Sequence, residues 1–245
     1  MDRLLASAIV GSAAGILGSG LGCLLGFVAA NPSQKAMAGI MSAAGGIMLS
    51  MVLLDLFPSS LSGNLWPGTC GIAIGAAFML LIRRLFEDSG DARAADKPSM
   101  LKMSIMIGAG IAAHNFPEGL AMGSGMASPQ GGAALAFAII LHDMPEGLAM
   151  AIPLRMAGKG AWTAVLYVFL AGLPTGIGAL IGYLVGSMSV LTLDLCLGFA
   201  GGAMAAIVFV EMLPASWKIS PTASGRGLLL GVALGIIILI LAGHI

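Results

Sequence analysis

The chain carries GGIMLSMVLLDLFP at residues 45–58 and GGAMAAIVFVEMLP at residues 201–214, 156 positions apart. Each copy opens on paired glycines, continues through an apolar run and closes on acid-x-x-Pro, with Asp55 before Pro58 and Glu211 before Pro214. The same offset lays GLGCLLG (20–26) over GIGALIG (176–182), and Gly71 and Gly75 over Gly227 and Gly231, without a gap. One match among glycine-rich apolar segments would be coincidence. One offset that serves three segments points to a duplicated unit.

Working outward, apolar stretches fall at about 4–29, 35–57, 67–86, 101–123, 131–152, 161–187, 191–213 and 224–243. A bilayer-crossing helix needs about 20 apolar residues, so the pattern predicts eight spans. The breaks carry turn residues such as Asn31-Pro32, Pro129-Gln130-Gly131 and Ser220-Pro221. Of 245 residues, 58% are apolar and 9% charged, against roughly 25% charged in soluble domains. The expected fold is therefore an all-α polytopic membrane protein with a single transmembrane domain over residues 1–245. Spans 1–3 cover about 4–86, a polar cytoplasmic loop about 87–99, two central spans about 101–152, and spans 6–8 about 161–243. The first run is longer than a signal-peptide core and is read as a permanent span. A formal net charge of zero gives no electrostatic case for nucleic acid. Cys23, Cys70 and Cys196 are far apart, form no CxxC and read as small apolar residues.

Eight spans put both termini on one side. Ten of the eleven basic residues then fall on the opposite side, and only Arg3 lies with the termini. By the positive-inside rule both termini are extracytoplasmic. Spans 1–3 and 6–8 run in opposite senses, which makes the repeat inverted, 3+2+3 around the two central spans. Such repeats are a mark of secondary transporters, whose site lies near the midplane at the repeat interface.

Five acids fall within spans: Asp55, Glu118, Asp143, Glu146 and Glu211. A carboxylate at a bilayer centre costs at least about 2.5–3.5 kcal/mol. With no basic residue expected inside a span, these groups must be protonated, hydrated or facing a cation. The central spans hold HNFPEGLAM (114–122) and HDMPEGLAM (142–150), one pattern twice. His114 and Glu118, like His142 and Glu146, are four apart and share a helical face. Asn115 and Asp143 lie about 100° round the same wall. Pro117 and Pro145 are expected to kink their helices and bare the carbonyls of Ala113 and Leu141. Two facing walls would supply imidazoles, carboxylates and an amide, a set that suits a borderline divalent metal such as Zn²⁺, Fe²⁺ or Mn²⁺. A lone intramembrane histidine is more often simply hydrogen-bonded; the duplication in register favours a ligand set. Asp55 and Glu211 read either as interfacial acids reaching water or as an entrance and an exit relay. Most of the seventeen methionines read as packing, with Met48 a candidate to touch the path.

On these residues the chain resembles the ZIP (Zrt-, Irt-like) family of divalent-metal transporters, short bacterial type. The resemblance covers essentially the whole chain. It implies a multi-pass protein of the bacterial cytoplasmic (inner) membrane that moves zinc, and also iron, manganese or cadmium, towards the cytoplasm as cargo rather than as a cofactor. It implies a binuclear centre of up to two ions per protomer. His114, Glu118, His142 and Glu146 would surround one ion; Asn115, Glu118, Asp143 and Glu146 would surround the other. A homodimer is implied, as is elevator-type motion of spans 1, 4, 5 and 6 against the rest. Two departures stand out. Span 6 carries Thr175 where many relatives place a glutamate, which weakens the second ion position, and the polar loop has no histidine. The alternatives are a proton-coupled metal exporter or exchanger, and an intramembrane metal-dependent hydrolase. The chain lacks the H-E-x-x-H spacing and any evident oxyanion donor, so it is expected not to be an enzyme.

Overall fold

The computed structural model describes residues 2–28, 33–87, 97–126, 132–185 and 189–242, and every element among them is helical. The expected turns at Asn31-Pro32 and Pro129-Gln130-Gly131 and most of the polar loop lie outside these residues. In chain order the helices are α1 (Asp2–Val28), α2 (Gln34–Met51), α3 (Phe57–Leu61), α4 (Leu65–Glu87), α5 (Lys97–Met126), α6 (Gly132–Met156), α7 (Ala161–Val185), α8 (Val190–Ile207), α9 (Leu213–Ile219) and α10 (Pro221–Ala242). Two π-helical turns, Val52–Leu56 and Val208–Met212, join α2 to α3 and α8 to α9. The ten segments therefore form eight rods.

The sequence ends spans 2 and 7 at Pro58 and Pro214, yet both rods run on, to Leu61 and Ile219. The π turns explain this. The N–H of Phe57 reaches the carbonyl of Val52, and that of Leu213 reaches Val208. The wider turn moves each proline ring away from the carbonyl it would strike in an α-helix. The two π turns are themselves 156 residues apart, so the duplication extends to a backbone irregularity. Pro98 sits in the first turn of α5, where its missing N–H costs nothing; that helix begins inside the expected loop. Pro117 and Pro145 lie within continuous helices, as do Pro153 and Pro174.

The rods sort into two blocks. In one, α1, α5, α6 and α7 pack on one another; in the other, α2 packs on α10 and α4 on α8, tied together through α3, α9 and the π turns. The packing is unchanged when span 1 is exchanged with 6, 2 with 7, 3 with 8 and 4 with 5. Individual contacts obey the same exchange. A Cβ on Gly71 would strike the carbonyl of Leu195, and one on Gly227 the carbonyl of Gly39; Gly75 meets Phe199 as Gly231 meets Ala43. Each of these is a 156-residue image of its mate. Helices that approach this closely gain van der Waals contact that lipid tails cannot supply.

Between the blocks lies the larger core. Met41, Met48, Met204, Met212, Ile107, Ile111 and Met150 are all buried there. A smaller core of Ala14, Met122, Ile139 and Ala179 lies within the first block. At one end of that block, Arg155 of α6 donates to the carbonyl of Gly26 at 2.9 Å and its guanidinium stands 5.7 Å from the Phe27 ring centroid. A cation thus closes the C-terminal end of α1, as the helix dipole favours.

Large apolar side chains cover the outside: Leu85, Leu229 and Leu241 are more than 70% exposed, as are Trp66 and Trp162 near helix starts. In water each exposed leucine would forgo about 1.5–3 kcal/mol. Among the described residues six rods are long and apolar enough to cross a membrane, and the chain is a multi-pass membrane protein. The other two rods, α5 and α6, match them in length and hold three buried acids, Glu118, Asp143 and Glu146.

Candidate metal centre

The repeated motif places its polar residues where α5 and α6 face each other. His114 Nε2 lies 2.7 Å from Glu146 Oε1, and neither side chain has any exposure. The imidazole of one helix is therefore bonded to the acid of the other, as two facing walls require. Asn115 is fully buried and donates from Nδ2 to the carbonyl of Ala171 on α7 at 2.9 Å, which holds its Oδ1 away from that helix. Asp143 is fully buried, and both its oxygens lack a hydrogen-bond partner. Glu146 and Glu118 interact electrostatically with it, and Glu118 is buried as well. His142 stands four residues before Glu146 on α6, but its side chain lies outside the described residues.

Glycine makes this density possible. A Cβ on Gly147 would overlap the carbonyl of Ser19 on α1, and one on Gly119 the carbonyl of Thr175 on α7. A Cβ on Gly18 would stand 2.7 Å from Cβ of Asp143. Four helices thus enclose the cluster, and water has little access to its carboxylates. Removing ions from water costs several kcal/mol each, and three like charges repel one another besides. A carboxylate with both oxygens unbonded in such a place is compensated by a proton or by a cation. The mixture of imidazole nitrogen and carboxylate oxygen matches a borderline divalent ion. Among the described residues no three His, Cys, Asp or Glu side chains already form a closed cation cage.

The outlying candidates separate. Thr175 is fully buried beside the cluster, and its Oγ1 has no hydrogen-bond partner. Met48 is fully buried between the blocks. Asp55 is half-buried in its π turn and accepts from Ser59 Oγ at 3.2 Å. Glu211, by contrast, lies 3.3 Å from Arg83 Nε on α4, with the side chains 17% and 40% exposed. The expectation that no basic residue inside a span partners these acids therefore fails at Glu211: Arg83 lies within the expected span 67–86, and the packing of α4 along α8 brings it to the acid. Such a half-exposed pair contributes about 1 kcal/mol or less. Glu211→Gln is accordingly expected to keep metal uptake within about twofold of the parent, as α8 and α4 remain joined by backbone contacts; radiometal uptake in proteoliposomes reads this directly. Asp194 on α8 is buried and accepts from the Asn64 N–H at 3.2 Å. Ser19 was overlooked. It directly precedes the matched GLGCLLG block, just as Thr175 precedes GIGALIG, so extending the repeat by one residue would have found it.

Fold and site together define a polytopic helical membrane protein with a buried imidazole–carboxylate cluster at the centre of the repeat. Known proteins supply the family. The ZIP zinc transporter family profile matches residues 87–242. The zinc transporter GufA of Myxococcus xanthus is 33% identical over 229 residues, covering 88% of each chain. The zinc transporter ZupT of Chlorobium limicola is 32% identical over 223 residues, covering 82% of this chain and 84% of its own. The ZupT of Stenotrophomonas maltophilia strain R551-3 is 30% identical over 220 residues, 82% of each. The chain belongs to the ZIP zinc-transporter family.

Proposed function

We propose that this protein is a secondary transporter, not an enzyme, that carries divalent transition-metal cations, zinc foremost, across the bacterial inner membrane towards the cytoplasm. The observation that carries the reading is Asp143: a fully buried carboxylate with both oxygens unbonded, facing two further acids across a pair of helices that also supply His114. On this reading α5 and α6 also cross the membrane, completing eight spans with both termini outside. His114, Asn115, Glu118, His142, Asp143 and Glu146 hold the cargo, with Asp55 and Met48 along its path. Thr175 supplies a hydroxyl where a carboxylate would bind harder, so one tightly held ion per protomer is the working state and a second is weak.

Elevator motion of the first block against the second fits the packing. Within each block, glycine brings backbone against backbone; between blocks, the atoms nearest a Cβ on Gly110 are the side-chain ends of Ile207 and Met79. Backbone contacts lock, whereas flexible methionine side chains re-pack.

Purified protein in liposomes is expected to admit Zn²⁺ faster than empty vesicles do, with Fe²⁺, Mn²⁺ and Cd²⁺ competing. Entry at the empty-vesicle rate would overturn the proposal. Metal-binding carboxylates give up protons, so a pH dye inside the vesicles is expected to report opposite proton movement if the cycle exchanges H⁺ for metal.

A further inference from the structure

The two block-forming helices that flank the cluster, α1 and α7, are images of each other in the repeat, and Ser19 is the image of Thr175. Both side chains are fully buried and both hydroxyls lack a hydrogen-bond partner. Ser224 on α10 is in the same state, but most of the described buried serines bond their hydroxyls: Ser7 donates to Ala179, Ser104 to Met150, and Ser42 shares a 2.6 Å bond with Ser216. A buried hydroxyl left unbonded costs about 1–3 kcal/mol, so a symmetric pair of them calls for a cause. Their backbones are equally matched. The Ser19 carbonyl abuts Gly147 in one metal motif, and the Thr175 carbonyl abuts Gly119 in the other. Ser19 also lies four residues on from Gly15, the position on α1 that Thr175 Oγ1 faces, so both residues belong to the α1–α7 crossing beside the cluster.

Nearby, Asn115 Oδ1 and the two oxygens of Asp143 are unbonded as well, and the acids Glu118 and Glu146 complete the cluster's oxygen donors. Asn115 and Asp143 are themselves images in the doubled motif. With the two hydroxyls, the Asn115 amide and the Asp143 carboxylate offer oxygen donors only, none of them part of the His114–Glu146 bond. That chemistry differs from the imidazole-containing half of the cluster and favours harder cations such as Mn²⁺.

We propose that Ser19 is a specificity-determining residue of the cluster, acting as the pseudo-symmetric partner of Thr175, and that the two hydroxyls with Asn115 and Asp143 form an all-oxygen position for the harder divalent cargo. The inference rests on the transport reading above. Its test is the ratio of Mn²⁺ to Zn²⁺ uptake in competition, together with the thermal stabilisation each metal gives the detergent-solubilised protein. Ser19→Ala and Thr175→Ala are each expected to lower the Mn²⁺/Zn²⁺ ratio about tenfold, and Ser19→Cys to shift preference towards Cd²⁺. Thr175→Ser keeps the hydroxyl and is expected to keep the ratio, which separates donor chemistry from packing. Ser224→Ala removes another buried, unbonded hydroxyl, on α10 in the other block, and is expected to change nothing. A ratio in Ser19→Ala equal to that in Ser224→Ala overturns the inference, as does a response of Thr175→Ala alone. If the parent protein is neither stabilised by nor permeable to any of these metals, the transport reading falls first and this one with it.

Discussion

Glu146→Gln is expected to bring zinc uptake in proteoliposomes to the rate of protein-free vesicles while leaving the protein folded. The carboxylate is fully buried and bonded to His114 across the α5–α6 interface. An amide in its place retains an oxygen acceptor for the imidazole and nearly the same volume, but it removes one negative charge and, on the proposed reading, a metal donor. Loss of an outer-shell partner alone typically lowers metal affinity or activity by about 10–100-fold; loss of a direct donor exceeds that. Stability is expected to move the other way. Asp143 stands close enough to interact with both Glu146 and Glu118, and relieving its repulsion with Glu146 in a dry site favours the folded state. The metal-free variant should therefore melt no lower than the parent, and added Zn²⁺ should no longer raise its Tm. A variant that melts many degrees lower without metal would show Glu146 to be structural. A variant that still carries zinc would remove it from the site.

Much of this arrangement could be read before any coordinates, for identifiable reasons. The eight rods follow from apolar run length, because in lipid every backbone group must bond within its own helix. The repeat was legible because close helix approach demands glycine at fixed positions, and Gly71, Gly75, Gly227 and Gly231 cannot drift without opening the pairs they seal. The i, i+4 spacing showed that His114 and Glu118, like His142 and Glu146, share one wall of their helix; the bond from His114 across to Glu146 belongs to the fold. What stayed hidden depends on three-dimensional context. Pro58 and Pro214 read as stops, since nothing in the local sequence announces a π turn that lets a helix pass a proline. The Arg83–Glu211 pair joins residues 128 apart whose depths shift with the ends of their rods. Ser19 is one small residue among many in a glycine-rich helix; only burial, an unbonded hydroxyl and a symmetric mate set it apart.

The second large effect is expected at Gly147. A methyl group there would drive into the backbone carbonyl of Ser19, which sits in the middle of α1 and has no rotamer by which to withdraw. Helices α1 and α6 would have to separate, at a cost of about 1–3 kcal/mol or more, and the separation would occur beside Asp143. Gly147→Ala is therefore expected both to lower Tm and to abolish uptake. Gly20→Ala is the counterpart: nothing lies within 4 Å of its added methyl, and replacing a helical glycine by alanine gains about 1 kcal/mol, so Tm should hold or rise with uptake intact. Gly110→Ala distinguishes a locked contact from a sliding one. Its methyl would meet the ends of Met79 and Ile207 across the seam between blocks, at 2.6–2.7 Å, and those ends can swing aside. If the blocks move as rigid bodies, Gly110→Ala should leave Tm near the parent value and change the uptake rate, whereas Gly147→Ala should damage both. Equal loss of stability in the two variants would mean that the seam is as rigid as the block interiors, and the elevator reading would then lose its structural basis.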